Sequence, residues 1–278
     1  MTQHTQRRSS FVRSLLRFDW LPRLGTVTVK DFFFLGLAGF FYPVGLVPWD
    51  RLKLEGNRVA GDWRKNKDKE KNPILLIHGY FHNGSAYLLL KHRLEKAGWR
   101  HVYSTNLSSR KTIEQNAASL AEEVEKILHQ TGAHRVDLVA HSMGGLVARY
   151  YVQFLEGYKR VERCITLACP NQGTELYLFA VTPCGRQLNP RGQFITKINQ
   201  DNLDKLRYIY TASIWSAYDL MILPSEYARW PYDAVDIPID SVGHWGLLYS
   251  LEVFGALQKL LGEKSKLPTL RVVHPSVA

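Results

Sequence analysis

Cysteine is scarce in this 278-residue chain. Cys164, Cys169 and Cys184 are an odd number, and no pair has Cys-x-x-Cys spacing. That excludes a zinc knuckle or a redox dithiol and leaves three small buried hydrophobes, with no positive support for a disulfide. Internal repeats and low-complexity tracts are absent, as are an RNA-binding aromatic motif and a basic recognition helix. Acidic residues are nearly missing from the first thirty positions, where Asp19 stands alone against Arg7, Arg8, Arg13, Arg17 and Arg23. This asymmetry explains a formal charge of +11 that would otherwise suggest nucleic acid. Residues 1–71 carry 14 Lys/Arg against 7 Asp/Glu, while the other 207 residues carry 22 against 18. The basicity therefore precedes the main domain, and no nucleic-acid partner is expected. A hydrophobic content of 45% with 22% charged residues suits a globular domain with a sizeable core.

Long hydrophobic runs are limited to Phe32–Trp49, 18 residues without a charge, interrupted by Pro43 and three glycines. Three readings compete for it: an interfacial or re-entrant anchor preceded by headgroup-binding arginines, a single span with its Arg-rich end cytoplasmic, or an aromatic run packed on the main domain. No small-x-small cleavage site supports a signal peptide, and the apolar run argues against a transit sequence. The expectation is membrane association through residues 1–49, on the cytoplasmic side or at an inner membrane, with a soluble cytoplasmic protein as the alternative. Residues 51–72 read as a charged linker, with an edge hairpin in 51–61 as a further reading.

From Pro73 the pattern alternates. Ile74–Ile77, His101–Thr105, Val136–Ala140, Val161–Ala168, Tyr208–Ile214 and Val235–Ile239 read as strands. Ser85–Ala97, Ile113–Gln130, Gly145–Leu155 and Gly246–Leu261 read as helices. This predicts an α/β fold with a mostly parallel central sheet and helices on both faces. The domain is expected over 73–265, followed by a tail over 266–278. A Pro/Gly-rich stretch at about 175–205 breaks the rhythm and reads as a small cap over the ligand crevice.

The chemistry centres on Val136-Asp-Leu-Val-Ala140-His141-Ser142-Met143-Gly144-Gly145, a strand running through a tight turn into a helix. Such a nucleophile elbow raises a serine hydroxyl above the sheet edge, next to a helix N-terminus that favours developing negative charge. Ala140 stands where Gly-x-Ser-x-Gly has its first glycine. A general base must follow later in the chain. His244, between Gly243 and Gly246 in the loop before the last helix, is favoured over His274, which sits in the Pro/Ser tail. Asp219, just after the 208–214 strand, is the leading acid and Asp240 the reserve; Asp201 and Asp204 fall at the wrong end of that strand. The oxyanion donors are expected to be the Met143 and Tyr80 backbone amides. Tyr80 and Phe81 also read as acyl-pocket aromatics.

With these residues the chain resembles the α/β-hydrolase lipase and esterase family over roughly residues 73–262. It is most similar to bacterial triacylglycerol lipases and to the lipase-like part of glycosylphosphatidylinositol inositol-deacylases. The motifs are Pro-Ile-Leu-Leu-Ile-His-Gly, Leu-Val-Ala-His-Ser-Met-Gly-Gly-Leu-Val-Ala-Arg, Ile-Thr-Leu-Ala-Cys-Pro-Asn-Gln-Gly-Thr, Tyr-Asp219-Leu-Met-Ile-Leu-Pro and Gly-His244-Trp-Gly-Leu-Leu. Where similar lipases have Thr-Pro-His-x-Gly-Thr, this chain has Ala168-Cys-Pro-Asn171-Gln-Gly-Thr174, a departure expected to alter the pocket wall. The resemblance implies cleavage of carboxylic esters, lipid or acyl esters foremost, without cofactor or metal. An acyltransferase with the same residues, or a non-catalytic binding protein of this fold, are the rival readings. Ser142 argues against the branches of the fold that use an Asp nucleophile.

Overall fold

The computed structural model describes residues 21–43 and 71–263. The proposed edge hairpin, most of the charged linker, the C-terminal tail and His274 lie outside the described residues. Six strands form one parallel sheet: β1 (Ile74–Ile77), β2 (Val102–Ser104), β3 (Val136–His141), β4 (Val161–Leu167), β5 (Tyr210–Trp215) and β6 (Val235–Pro238). They lie in the order β2-β1-β3-β4-β5-β6, and every neighbouring pair is parallel. The central strands are buried along their whole length, as expected of a sheet covered on both faces. Alternate residues serve opposite layers. Leu75, Ile77, Leu138 and Ala140 enter one hydrophobic cluster, whereas Ile74, Leu76 and Val139 enter the other.

The helices follow from their caps and stripes. Helix α3 (Ile113–Thr131) begins with a reciprocal Thr112/Gln115 capping box and ends at left-handed Gly132. It buries Ile113, Ala117, Leu120, Val124, Ile127 and Leu128 on the same layer as α4 (Met143–Phe154). Helix α2 (Leu88–Lys96) and α7 (Leu251–Gly262) cover the other layer. The helix expected from Ser85 opens with a 3-10 turn over Gly84–Tyr87, because Asn83 caps Ser85. The helix expected over Gly246–Leu261 divides for a similar reason. Gly246–Leu248 forms a 3-10 turn, and Ser250 starts α7 by accepting from the Val253 amide. The strand expected from Tyr208 begins two residues later, since Leu203–Tyr208 is wound as 3-10 helix.

Chain order reverses at β1, which lies between β2 and β3. The loops after β1 and β3 therefore leave in opposite directions and open a crevice at the carboxyl ends of the strands. The 175–205 region contains no strand; a 3-10 turn over Glu175–Phe179, then α5 (Pro183–Arg186) and α6 (Gln193–Ile198), lie beyond β4.

The N-terminal helix α1 (Leu21–Phe41) begins well before the apolar run and ends in a 3-10 turn reaching Pro43. Val27, Asp31 and Phe34 recur at i, i+4 and i+7 and face the domain, with Phe34 stacked on Tyr249 at 5.0 Å. The third reading, packing on the main domain, therefore describes one side of this helix. The opposite side shows Val29, Phe32, Phe33 and Phe40, each 67% exposed or more. Among the described residues no helix is long and apolar enough to cross a membrane.

Candidate active site

Ser142 occupies the single residue between β3 and α4, with φ 53° and ψ −133°. A non-glycine residue at positive φ is costly and persists only when its surroundings enforce it. Here the Ser142 amide donates to Leu167 O at 2.9 Å and its carbonyl accepts from the Gly145 amide at 2.9 Å. A Cβ on Gly144 would stand 2.4 Å from His78 O and 2.6 Å from Ile77 O, so the turn closes against β1 only with glycine there. Ala140 is fully buried between Ile77 and Thr166, and the sheet accommodates its methyl. Ser142 itself is half-buried between two fully covered neighbours, His141 and Met143.

The loop after β1 lies directly over the serine. A Cβ on Gly79 would come within 2.7 Å of Ser142 Cβ and 3.3 Å of its Oγ. His78 holds this loop from inside. Its Nε2 accepts from the Leu107 amide at 2.7 Å, and its Nδ1 lies 2.9 Å from Gly79 O. A carbonyl can only accept, so Nδ1 carries the proton and the ring is neutral. Burial lowers its pKa to about 4, in agreement. Met143 is the first helical residue, so its amide has no intrahelical acceptor. The Phe81 amide donates to Ser109 Oγ at 3.1 Å, with Phe81 at φ 52°. Tyr80 ties the loop to the cap: its hydroxyl lies 2.7 Å from Thr182 Oγ1 and its ring sits against Phe81.

A second polar array stands beside the elbow. His244 Nδ1 is 2.8 Å from Asp219 Oδ2, and both residues are 2% exposed. The other Asp219 oxygen accepts from the Met221 and Ile222 amides at 2.7 and 3.0 Å. With Nδ1 donating to the carboxylate, the neutral imidazole keeps its lone pair on Nε2. Asp240 and Asp233 are exposed, Asp236 pairs with Arg229, and Asp201 and Asp204 are exposed ahead of β5. Sequence reasoning overlooked His141, which contacts the His244 ring at 4.7 Å and lies 3.1 Å from its carbonyl through Nε2. It also overlooked His82, stacked on Trp245, and Asp31 of α1, which reaches the Gly246 amide. His141 stood in the elbow motif itself. No local signal marked Asp31 or His82.

The departure from the Thr-Pro-His-x-Gly-Thr pattern has a definite structural role at Asn171. This residue is fully buried. It donates to Ala228 O at 2.7 Å and accepts from Arg149, tying the segment after β4 to α4 and to the segment before β6. Leu178, Phe179 and Val181, in and just after the 3-10 turn beyond β4, are exposed. The three cysteines are free and buried, and among the described residues no group of three His, Cys, Asp or Glu could hold a metal ion.

The sequence model of the family Lipase (class 2) matches residues 71–245, which include the elbow, Asp219 and His244. The chain belongs to the class 2 lipase family. A triacylglycerol lipase of Pseudomonas fragi is 31% identical over 109 residues, 37% of this chain and 36% of that protein. One of Vibrio cholerae is 34% identical over 82 residues, 28% of this chain and 26% of that protein. These alignments thus span about a third of the curated relatives or less. Among solved structures, a mature Bacillus licheniformis lipase superposes with a TM-score of 0.62 at 20% identity, covering 71% of this chain and 94% of that one. This member of the family has the α/β-hydrolase fold.

Proposed function

We propose that this class 2 lipase hydrolyses carboxylic esters through an acyl-enzyme on Ser142. The observation that carries the reading is the buried Asp219–His244 hydrogen bond beside a serine held at positive φ. In this scheme His244 Nε2 takes the hydroxyl proton as Ser142 attacks the ester carbonyl, and Asp219 holds the tautomer and stabilises the imidazolium. The oxyanion forms between the Met143 and Tyr80 amides. His244 then protonates the departing alkoxide, and the resulting neutral imidazole activates the water that releases the acid. The reaction needs no cofactor or metal. Residues 73–265 form the hydrolytic unit, with the cap over 175–205.

The substrate we assign is an ester of an apolar acyl chain, presented at a lipid surface. Two features support this: the exposed cap side chains Leu178, Phe179 and Val181, and the outward face of α1, whose apolar residues follow an Arg-rich stretch. That combination suits the headgroup–acyl boundary of an anionic leaflet, with the helix lying in the interface. The relatives named triacylglycerol lipases fit the same substrate class.

A p-nitrophenyl ester series from short to long chains tests the reading. The expected outcome is hydrolysis that favours longer chains and disappears in Ser142→Ala. Activity that survives this substitution would sink the acyl-enzyme, and a clear preference for short chains would sink the lipid-ester assignment. For the interface, flotation with anionic vesicles should fall about tenfold in the combined Phe32→Ser, Phe33→Ser and Phe40→Ser variant. Equal flotation defeats the membrane proposal. These surface positions are preferable to deleting residues 1–49, which would also remove Asp31.

A further inference from the structure

His244 lies between two glycines whose small size has a specific cause. A Cβ on Gly243 would stand 2.6 Å from Asp31 Oδ2, and one on Gly246 would stand 3.3 Å from Asp31 Oδ1. The carboxylate fills the space that a side chain at Gly243 would need, while at Gly246 the nearer obstacle is Val242 Cβ at 2.6 Å. Its Oδ1 accepts from the Gly246 amide at 2.7 Å, with the Trp245 amide as a further backbone partner. Asp31 belongs to α1, 215 residues earlier in the chain, and is only 8% exposed. Val27 and Phe34, on the same helical face, seat that helix against the domain. A carboxylate removed from water is costly unless hydrogen bonds and opposite charge compensate it. The backbone amides supply the first, and an imidazolium at His244 would supply the second.

We propose that Asp31 is a positioning residue for His244: the N-terminal helix brings a second carboxylate that clamps the Val242–Gly246 loop and favours the imidazolium formed during ester cleavage. The proposal rests on His244 being the general base. The groups that face His244 come from several elements. Asp219 lies in the loop after β5, Asp31 on α1, His141 at the end of β3, and His82 in the loop after β1, with His78 behind them. Burial lowers the pKa of the three other histidines, two of them to about 4, so they are neutral near pH 7. The two carboxylates are then the charges that govern the His244 proton. Burial raises the Asp31 pKa, while its amide bonds and His244 lower it.

Asparagine separates the two parts of this role, because its Oδ1 can still accept from Gly246 while the charge is lost. The test is an NMR titration of the His244 imidazole, assigned by its loss in His244→Gln, in full-length wild type and Asp31→Asn. The expected result is a His244 pKa lower by on the order of half a unit in Asp31→Asn. The acid limb of kcat/KM for a short soluble ester should move down equally. Asp31→Ala should also lower kcat about tenfold with KM unchanged. An identical His244 titration in folded Asp31→Asn overturns the proposal. A lowered Tm with an unmoved acid limb does so too, because it would mark a merely structural residue. If the variants do not fold, the wild type decides. The Asp31 carboxyl carbon and the His244 ring should each show the other's inflection, and independent curves reject the coupling. Should wild type cleave no ester, the general-base reading fails by itself, while the titration still judges the Asp31–His244 pair.

Discussion

The serine side and the histidine side of this site are built in different ways. Ser142 is placed by ten consecutive residues, a strand, one strained turn and a helix, with Gly144 and Gly79 letting the neighbouring loop close over it. His244 is placed by segments far apart in the chain: Asp219 from the β5 loop, His141 from β3, and Asp31 from a helix more than 200 residues away. The first side is stiff because local geometry leaves it few alternatives. The second depends on tertiary packing, and loosening any of its contributors should weaken it in steps.

The largest effects are expected from disabling each side alone and then both together. Ser142→Ala and His244→Ala should each reduce kcat by roughly 10⁴- to 10⁶-fold, and the double variant should be no worse than either single one. Strictly additive losses would show that the two sides do not act as one unit. A smaller effect tests the histidine side. Asp219→Asn should lower kcat by about 10²- to 10⁴-fold with KM nearly unchanged, because the imidazole loses its tautomer restraint. Asp240→Asn should remain within about twofold of wild type. If the Asp240 variant proved the worse of the two, the acid would be misassigned.

The smallest expected effect concerns pH and stability. His78, His82 and His141 have folded pKa values below the unfolded imidazole value, to about 4 for the first two. Between that value and about 6.5 the unfolded chain binds more protons than the folded one. Stability is therefore present above pH 6.5 and is lost as pH falls toward 4. Asp137, raised to about 6 by burial, and Asp31, also raised, act in the opposite sense over the lower part of this window. A net loss should remain, read as a lower urea midpoint at pH 4.5 than at pH 7. A flat profile would mean that these histidines bind protons in the folded chain as they do in the unfolded one.

Much of this was legible in the sequence for a physical reason. Short apolar runs such as Ile74–Ile77 and Val136–Ala140 are continuous because both faces of a parallel strand are covered. The α3 stripe is regular because one face packs on the sheet. Asp219 was favoured over Asp240 by its place after β5, and the structure puts it against His244. The boundaries that shifted did so through local capping. Asn83 drew the turn before α2 into a 3-10 helix, and Ser250 restarted the chain as α7. Asn171 shows the opposite limit. Its place in a lipase-like motif suggested a pocket wall, but its side chain turns inward to Arg149 and Ala228, which no spacing rule could show.

The alternation of strands and helices, the turn that lifts Ser142, and the later positions of Asp219 and His244 are all written in the amino-acid order. These depend on neighbours a few residues apart, where chain connectivity dictates geometry. Tertiary packing was needed to reveal that Gly79 covers the serine, that His141 and His82 gather around His244, and that an N-terminal helix inserts Asp31 beneath the histidine loop. Those contacts join residues tens to hundreds of positions apart. Burial and hydrogen bonding select them, and the local pattern carries no record of them.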